Sequence, residues 1–171
     1  MRTLGYPFIL LIRFFAFLSS QYGLLAYAIQ IVQILLVLGL LSFAWHGTAG
    51  GILLVLAVVV ALLGITLLIW SAKSLGRSFT PFATLPDRAK LTTGGAFRYV
   101  RHPMYLALLM LGVAAVFRAG DVTSIYNWVA LLIVLLWKMT IEERQLAARF
   151  EGYEQYRNTT GALIPKRQKS R

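Results

Sequence analysis

The 171-residue chain contains no cysteine. Disulfides, thiolate nucleophiles and thiolate metal ligands are therefore excluded. It has two histidines, His46 and His102, too few for a histidine-based metal site, and no metal is expected. Acidic residues are scarce as well, with six Asp and Glu against 17 Lys and Arg, for a net charge of +11. Charged residues of both signs make up 13% of the chain and apolar ones 58%. A soluble domain of this size would not stay in solution with that balance, so water is not the main solvent.

Two apolar runs are long enough for a bilayer, which takes about 20 helical residues to cross. Residues 24–43 are interrupted only by Gln30, Gln33, Gly39 and Ser42, and residues 51–70 carry Thr66 as their one polar side chain. Both must be helical, because lipid offers backbone amides no partner. Two further runs, 103–117 and 125–141, are shorter and read as a tight helical hairpin turning at Ala119-Gly120-Asp121. Residues 6–18 are apolar but carry Arg13, and a charge in mid-bilayer is expensive. That segment reads as an interfacial or partly inserted helix, with a fifth span as the alternative; a cleaved signal peptide is disfavoured because no small-residue cleavage site precedes a mature soluble domain.

The expected architecture is an all-α integral membrane protein in one domain, residues 1–171. Four core transmembrane helices are expected, or five if the first segment spans, the last two forming a short hairpin. By segment, 4–20 is interfacial or a first span and 22–44 and 51–72 are spans. Residues 73–102 form a cytoplasmic loop, 103–119 and 123–141 the hairpin, and 142–171 a cytoplasmic amphipathic helix with a basic tail.

With four spans, 16 of the 17 Lys and Arg fall on one side and Arg118 alone on the other. The positive-inside rule then places the loop and both termini in the cytoplasm, and a fifth span would move only the N-terminus with Arg2 to the other side. Attraction to anionic lipid accounts for Lys166, Arg167, Lys169 and Arg171 without further function. Nucleic acid is not expected as a partner, since the basic residues spread over a membrane-facing surface without a recognition module. Five of the six acids, Asp87, Glu142, Glu143, Glu151 and Glu154, share this face and confine polar chemistry to it.

Within the loop, Gly94-Gly95 allows close backbone approach to a ligand or serves only as a turn; no dinucleotide fingerprint accompanies it. Pro103 opens the third helix, and its unpaired amides with Arg101 and His102 beside them suit an anion. The alternative for Arg98, Arg101 and His102 is contact with lipid phosphate. After the fourth run, Leu146, Phe150 and Tyr153 recur at i, i+4, i+7, predicting one amphipathic helix over the membrane surface. Glu142 and Glu143 on it are either a solvated turn, partners of loop arginines, or functional company for Lys138 one turn earlier. His46 beside Trp45 is explained by an interfacial aromatic belt.

The segment Gly95-Ala-Phe-Arg-Tyr-Val-Arg-His-Pro-Met-Tyr105 resembles the G-x-Y-x-x-x-R-H-P-x-Y signature of the isoprenylcysteine carboxyl methyltransferase and phospholipid methyltransferase superfamily. Glu142-Glu143-Arg-Gln-Leu, then Phe150, Tyr153, Tyr156 and Ile164-Pro165, is similar to its E-E-x-x-L, F-G-x-x-Y-x-x-Y and terminal I-P elements. The resemblance covers about residues 73–165 and suggests a small prokaryotic-type member. It implies an S-adenosylmethionine-dependent methyltransferase in a bacterial or archaeal inner membrane. On its pattern, Lys90, Leu91, Thr92, Phe97, His102, Pro103, Met104, Tyr105 and Glu142 surround the cofactor and Lys138 meets the substrate; on their chemistry, Tyr99 and Arg101 join the cofactor candidates and Glu143 joins Lys138 as a catalytic candidate.

Three departures stand out: Phe97 replaces the usual Tyr, Lys138 replaces a substrate-contacting Arg and loses its bidentate fork, and the Phe150 to Tyr153 element is one residue short. The chemistry suits the composition, because methyl transfer from a sulfonium needs alignment and exclusion of water rather than a metal or covalent nucleophile. Glu142 would accept ribose hydroxyls, Arg101 or His102 would meet the cofactor carboxylate, and Tyr99 or Tyr105 would face the sulfonium. The acceptor is a membrane lipid or lipidated molecule. Lys138 favours a carboxylate, whereas a phospholipid amine calls for a base such as Glu143 or His102. The competing readings are an NADPH-dependent sterol-type reductase and a non-catalytic membrane partner.

Overall fold

A computed structural model describes residues 27–76 and 91–166. The expectations for residues 4–20, for Lys90 and for Arg167, Lys169 and Arg171 lie outside them.

Four long helices make up the bundle: α1 (Tyr27–His46), α2 (Ile52–Leu75), α3 (Pro103–Ala119) and α4 (Val122–Arg149), followed by a short α5 (Tyr153–Thr159). Three of them, α1, α2 and α4, are long and apolar enough to cross a membrane, and α3 is a shorter apolar helix of 17 residues. No strand occurs among the described residues; a single β-bridge joins Val100 to Gly161. The outward surface is apolar, with Val55, Val58, Leu62 and Ile69 of α2 all exposed. Such a surface is stable only against lipid.

The hairpin forms where the sequence places it. Gly120 takes the left-handed conformation (φ 71) that ends α3, and Asp121 caps α4 by accepting the Ser124 N–H at 2.9 Å. The two helices pack with α1 around Leu40, Tyr105, Leu109, Ala115, Leu131, Leu135 and Met139. Trp128 on α4 donates its indole N–H to the Leu109 carbonyl at 3.0 Å, and Asn127 donates to the Leu36 carbonyl of α1 at 2.9 Å. These bonds give intramembrane polar groups internal partners, as lipid requires.

Past residue 141 the chain differs from the single amphipathic helix expected there. α4 continues without a break for 28 residues, about 42 Å at the helical rise, and so outruns a hydrocarbon core of about 30 Å. Its last turns, bearing Glu142 and Glu143, project beyond the apolar run. Helix then stops: Phe150 is extended (φ −122, ψ 112), and α5 restarts at Tyr153 after Gly152. The i, i+4, i+7 pattern does not register this break, because Tyr153 is buried from either geometry.

The break turns the chain back against the start of α3. Arg101 N–H donates to the Gly161 carbonyl at 2.8 Å and His102 N–H to the Ala162 carbonyl at 3.0 Å. Tyr156 donates its hydroxyl to the Phe97 carbonyl at 2.6 Å. The segment after α5 thus lies alongside residues 97–102 and closes one end of the bundle.

Candidate functional site

Six of the residues singled out in the sequence converge at that end: Arg101, His102, Tyr105, Lys138, Glu142 and Glu143. Adjacent carboxylates on a helix diverge, and here each finds a different partner set. Glu143 Oε1 accepts from Arg101 Nε at 3.0 Å and Nη2 at 2.6 Å, and lies 3.2 Å from His102 Nε2. Its Oε2 is 3.5 Å from Arg157 Nε. Glu142 Oε1 accepts the Tyr105 hydroxyl, while its Oε2 stands 3.8 Å from His102 Nδ1.

His102 is held on every side. It is the residue before Pro103, which fills the first helical position of α3, and its carbonyl accepts the amides of Tyr105 and Leu106, each at 3.1 Å. Its ring stacks on Tyr105 with centroids 5.4 Å apart and an interplanar angle of 1°. The imidazole is 7% exposed and bridges the two carboxylates.

Arg101 is committed almost wholly within the protein. Besides Glu143, its Nη1 donates to the carbonyls of Arg157 and Thr160, the former at 3.1 Å. Four of the five N–H donors of its guanidinium are thus spent on protein acceptors. The arrangement anchors the closing segment to α4 and leaves little for an external carboxylate.

Lys138, one turn deeper on α4, is 3% exposed, and its Nζ donates to Gln30 at 2.6 Å and Gln33 at 3.0 Å. The Tyr105 ring lies 5.4 Å from the same nitrogen. The two glutamines stood out in the sequence only as interruptions of an apolar run; their spacing of three, one helical face, is the signal that pairs them with a buried cation.

The other candidates are less central. Tyr99 is 56% exposed and packs against Trp70 at 5.8 Å. Leu91, Thr92, Phe97 and Met104 are half-buried and Pro103 is buried. Gly95 adopts φ 60, and a Cβ there would strike the Ser74 hydroxyl, which accepts the Ala96 amide at 3.2 Å. The Gly pair therefore serves the approach of the loop to α2.

Near the C-terminus, burial pushes the Tyr153 and Tyr156 hydroxyls up to about 12, so both stay protonated near neutral pH. A hollow at the opposite end, lined in part by Ser42, His46 and Asp121, holds groups already committed. Asp121 caps α4, and His46 Nδ1 lies 2.9 Å from the Ser42 carbonyl.

A polytopic helical bundle closed at one end by a carboxylate–imidazole–guanidinium cluster defines an integral membrane protein with a single polar centre among its described residues. A family model described as phospholipid methyltransferase matches residues 52–152, more than half of the chain, and the protein belongs to that family of membrane methyltransferases. No curated protein matches the chain.

Proposed function

We propose that the protein transfers a methyl group from S-adenosylmethionine to a lipophilic acceptor that reaches the site sideways from the bilayer, on the cytoplasmic face. One observation carries the reading: Glu142 Oε2, within the family-matched region, accepts no hydrogen bond among the described residues while its other oxygen is fixed by Tyr105. An oriented carboxylate oxygen with unused acceptor capacity is what a ribose hydroxyl needs. The donor set thus fits the cofactor at Glu142, with Tyr105, which fixes that carboxylate, as the aromatic ring beside it. Arg101 is not part of that fit, being occupied within the protein.

When bound, S-adenosylmethionine supplies a methyl group on a cationic sulfur. The chain's own residues orient and exclude: Tyr105 fixes Glu142, the segment pinned by Arg101 closes the end of the bundle, and the long helices shut out water. For the acceptor, preference for a carboxylate rested on Lys138, whose ammonium already has two amide partners. The third N–H of Nζ suits an anionic group, while a base beside Glu142 favours an amine-type acceptor. Beyond the site, the basic tail after Lys166 serves anionic lipid.

Thermal unfolding of detergent-solubilised protein tests the cofactor. S-adenosylhomocysteine at about 100 times its dissociation constant should stabilise the fold by roughly 2.7 kcal/mol. NADPH should leave it unchanged, and stabilisation by NADPH alone would replace this reading with a reductase.

A further inference from the structure

We infer that His102 and Glu143 form a proton-accepting dyad, in which His102 Nδ1 takes the proton of the methyl acceptor and Glu143 positions the ring. The inference rests on the methyl-transfer reading for its reaction, but its geometry stands without it.

Glu143 Oε1 already receives two N–H groups of Arg101, so it is a carboxylate and can only accept. The His102 Nε2 atom facing it at 3.2 Å must therefore carry the hydrogen and donate it. In a neutral imidazole this leaves Nδ1 with the lone pair, and Nδ1 lies 3.8 Å from Glu142 Oε2, the oxygen that Tyr105 does not bind. A carboxylate that fixes one ring nitrogen so that the other can take a proton is the general logic of a base with its orienting group. Arg101 makes the orienter rigid by binding Glu143 and the closing segment together.

The charges around the ring suit the protonated product. Glu142 and Glu143 of α4 flank it, against the cations Arg101 beside it, Lys138 one turn deeper and Arg157 from the closing segment. Among the described residues, Tyr105 on α3 and Tyr153 and Tyr156 of α5 are the tyrosines beside this cluster. An imidazolium formed here lies between two carboxylates.

The step balances for an ammonium-type acceptor. One N–H bond breaks, its proton forms the Nδ1–H bond, and the freed electron pair on nitrogen bonds to the methyl carbon of the sulfonium donor. The methyl–sulfur bond breaks with its pair on sulfur, which becomes a neutral thioether. His102 then releases its proton to water. A carboxylate acceptor has no proton to lose and would leave the dyad idle.

The test is nitrogen NMR of the whole protein labelled with 15N-histidine in micelles, with His46→Asn assigning the two histidines. Between about pH 5 and 8, the neutral ring of wild-type His102 should carry its hydrogen on Nε2 and leave Nδ1 bare. Glu143→Gln should let the Nδ1–H tautomer appear. A ring protonated on both nitrogens throughout, a neutral ring with its hydrogen on Nδ1, or an unchanged tautomer in Glu143→Gln would each overturn the dyad. The wild-type spectrum decides even if the variant fails to fold. No methyl donor is present, so a negative result leaves donor binding standing as a separate question.

Discussion

Lys138 on α4 donates to the Gln30 side-chain oxygen on α1 at 2.6 Å, across 108 residues of sequence. With Gln33 it forms a buried amide–ammonium triad that sets the register of the two helices. Removing the acceptors leaves a buried cation without partners, whereas removing all three polar groups together does not. We predict that Gln30→Leu with Gln33→Leu destabilises the fold by about 3 kcal/mol. Adding Lys138→Met should restore most of it. Thermal melts of the three proteins check this, and equal stability of the double and triple variants would contradict it.

Arg101 joins Glu143 to the carbonyls of Arg157 and Thr160, so its loss should free the closing segment before it unfolds the bundle. Charge-assisted hydrogen bonds are worth roughly 1.5–3 kcal/mol each. Arg101→Ala should speed amide exchange over residues 153–162 by at least about tenfold, since about 1.4 kcal/mol is a factor of ten in an opening equilibrium, while α2 and α3 keep their protection. Lys in place of Arg should rescue only in part, for want of the fork.

Tyr153 and Tyr156 make a matched pair for the same segment. The Tyr153 hydroxyl is buried without a hydrogen-bond partner among the described residues, while Tyr156 donates to the Phe97 carbonyl. Tyr153→Phe should therefore change stability little, and Tyr156→Phe should cost about 1 kcal/mol. Both hydroxyls are raised from about 10 to about 12 in the fold. Their contribution is complete below pH about 10 and is lost as pH rises through about 12. Alkaline unfolding followed by tyrosinate absorbance checks the sign.

At the hairpin, Gly112 of α3 faces Trp128 of α4 so closely that a Cβ would meet the indole ring. Gly112→Ala should push that ring from its bond to the Leu109 carbonyl and cost about 1–3 kcal/mol. Tryptophan fluorescence, read with a melt, would show both effects.

Much of this arrangement was legible from residue order. Apolar length marked α1 and α2, and Gly120-Asp121 marked the hairpin turn, because each depends on local chemistry alone. Arg101-His102-Pro103 and Glu142-Glu143 were identifiable as the polar centre. What Arg101 does there was not, since two of its acceptors are backbone carbonyls, which every residue possesses. Gln30 and Gln33 looked like defects in a span until the fold brought Lys138 to them. The end of α4 at Arg149 was hidden because burial of Tyr153 satisfies a helical pattern without a continuous helix.

The central claim is the cofactor, and calorimetric titration of S-adenosylmethionine into the detergent-solubilised protein tests it most directly. Saturable binding is expected, weakened about tenfold or more by Glu142→Ala through loss of a charged hydrogen bond. Glu154→Ala, which removes an exposed carboxylate paired only with Arg157, should leave it unchanged. Absence of saturable binding to the wild-type protein, or equal small effects of the two substitutions, would contradict the account.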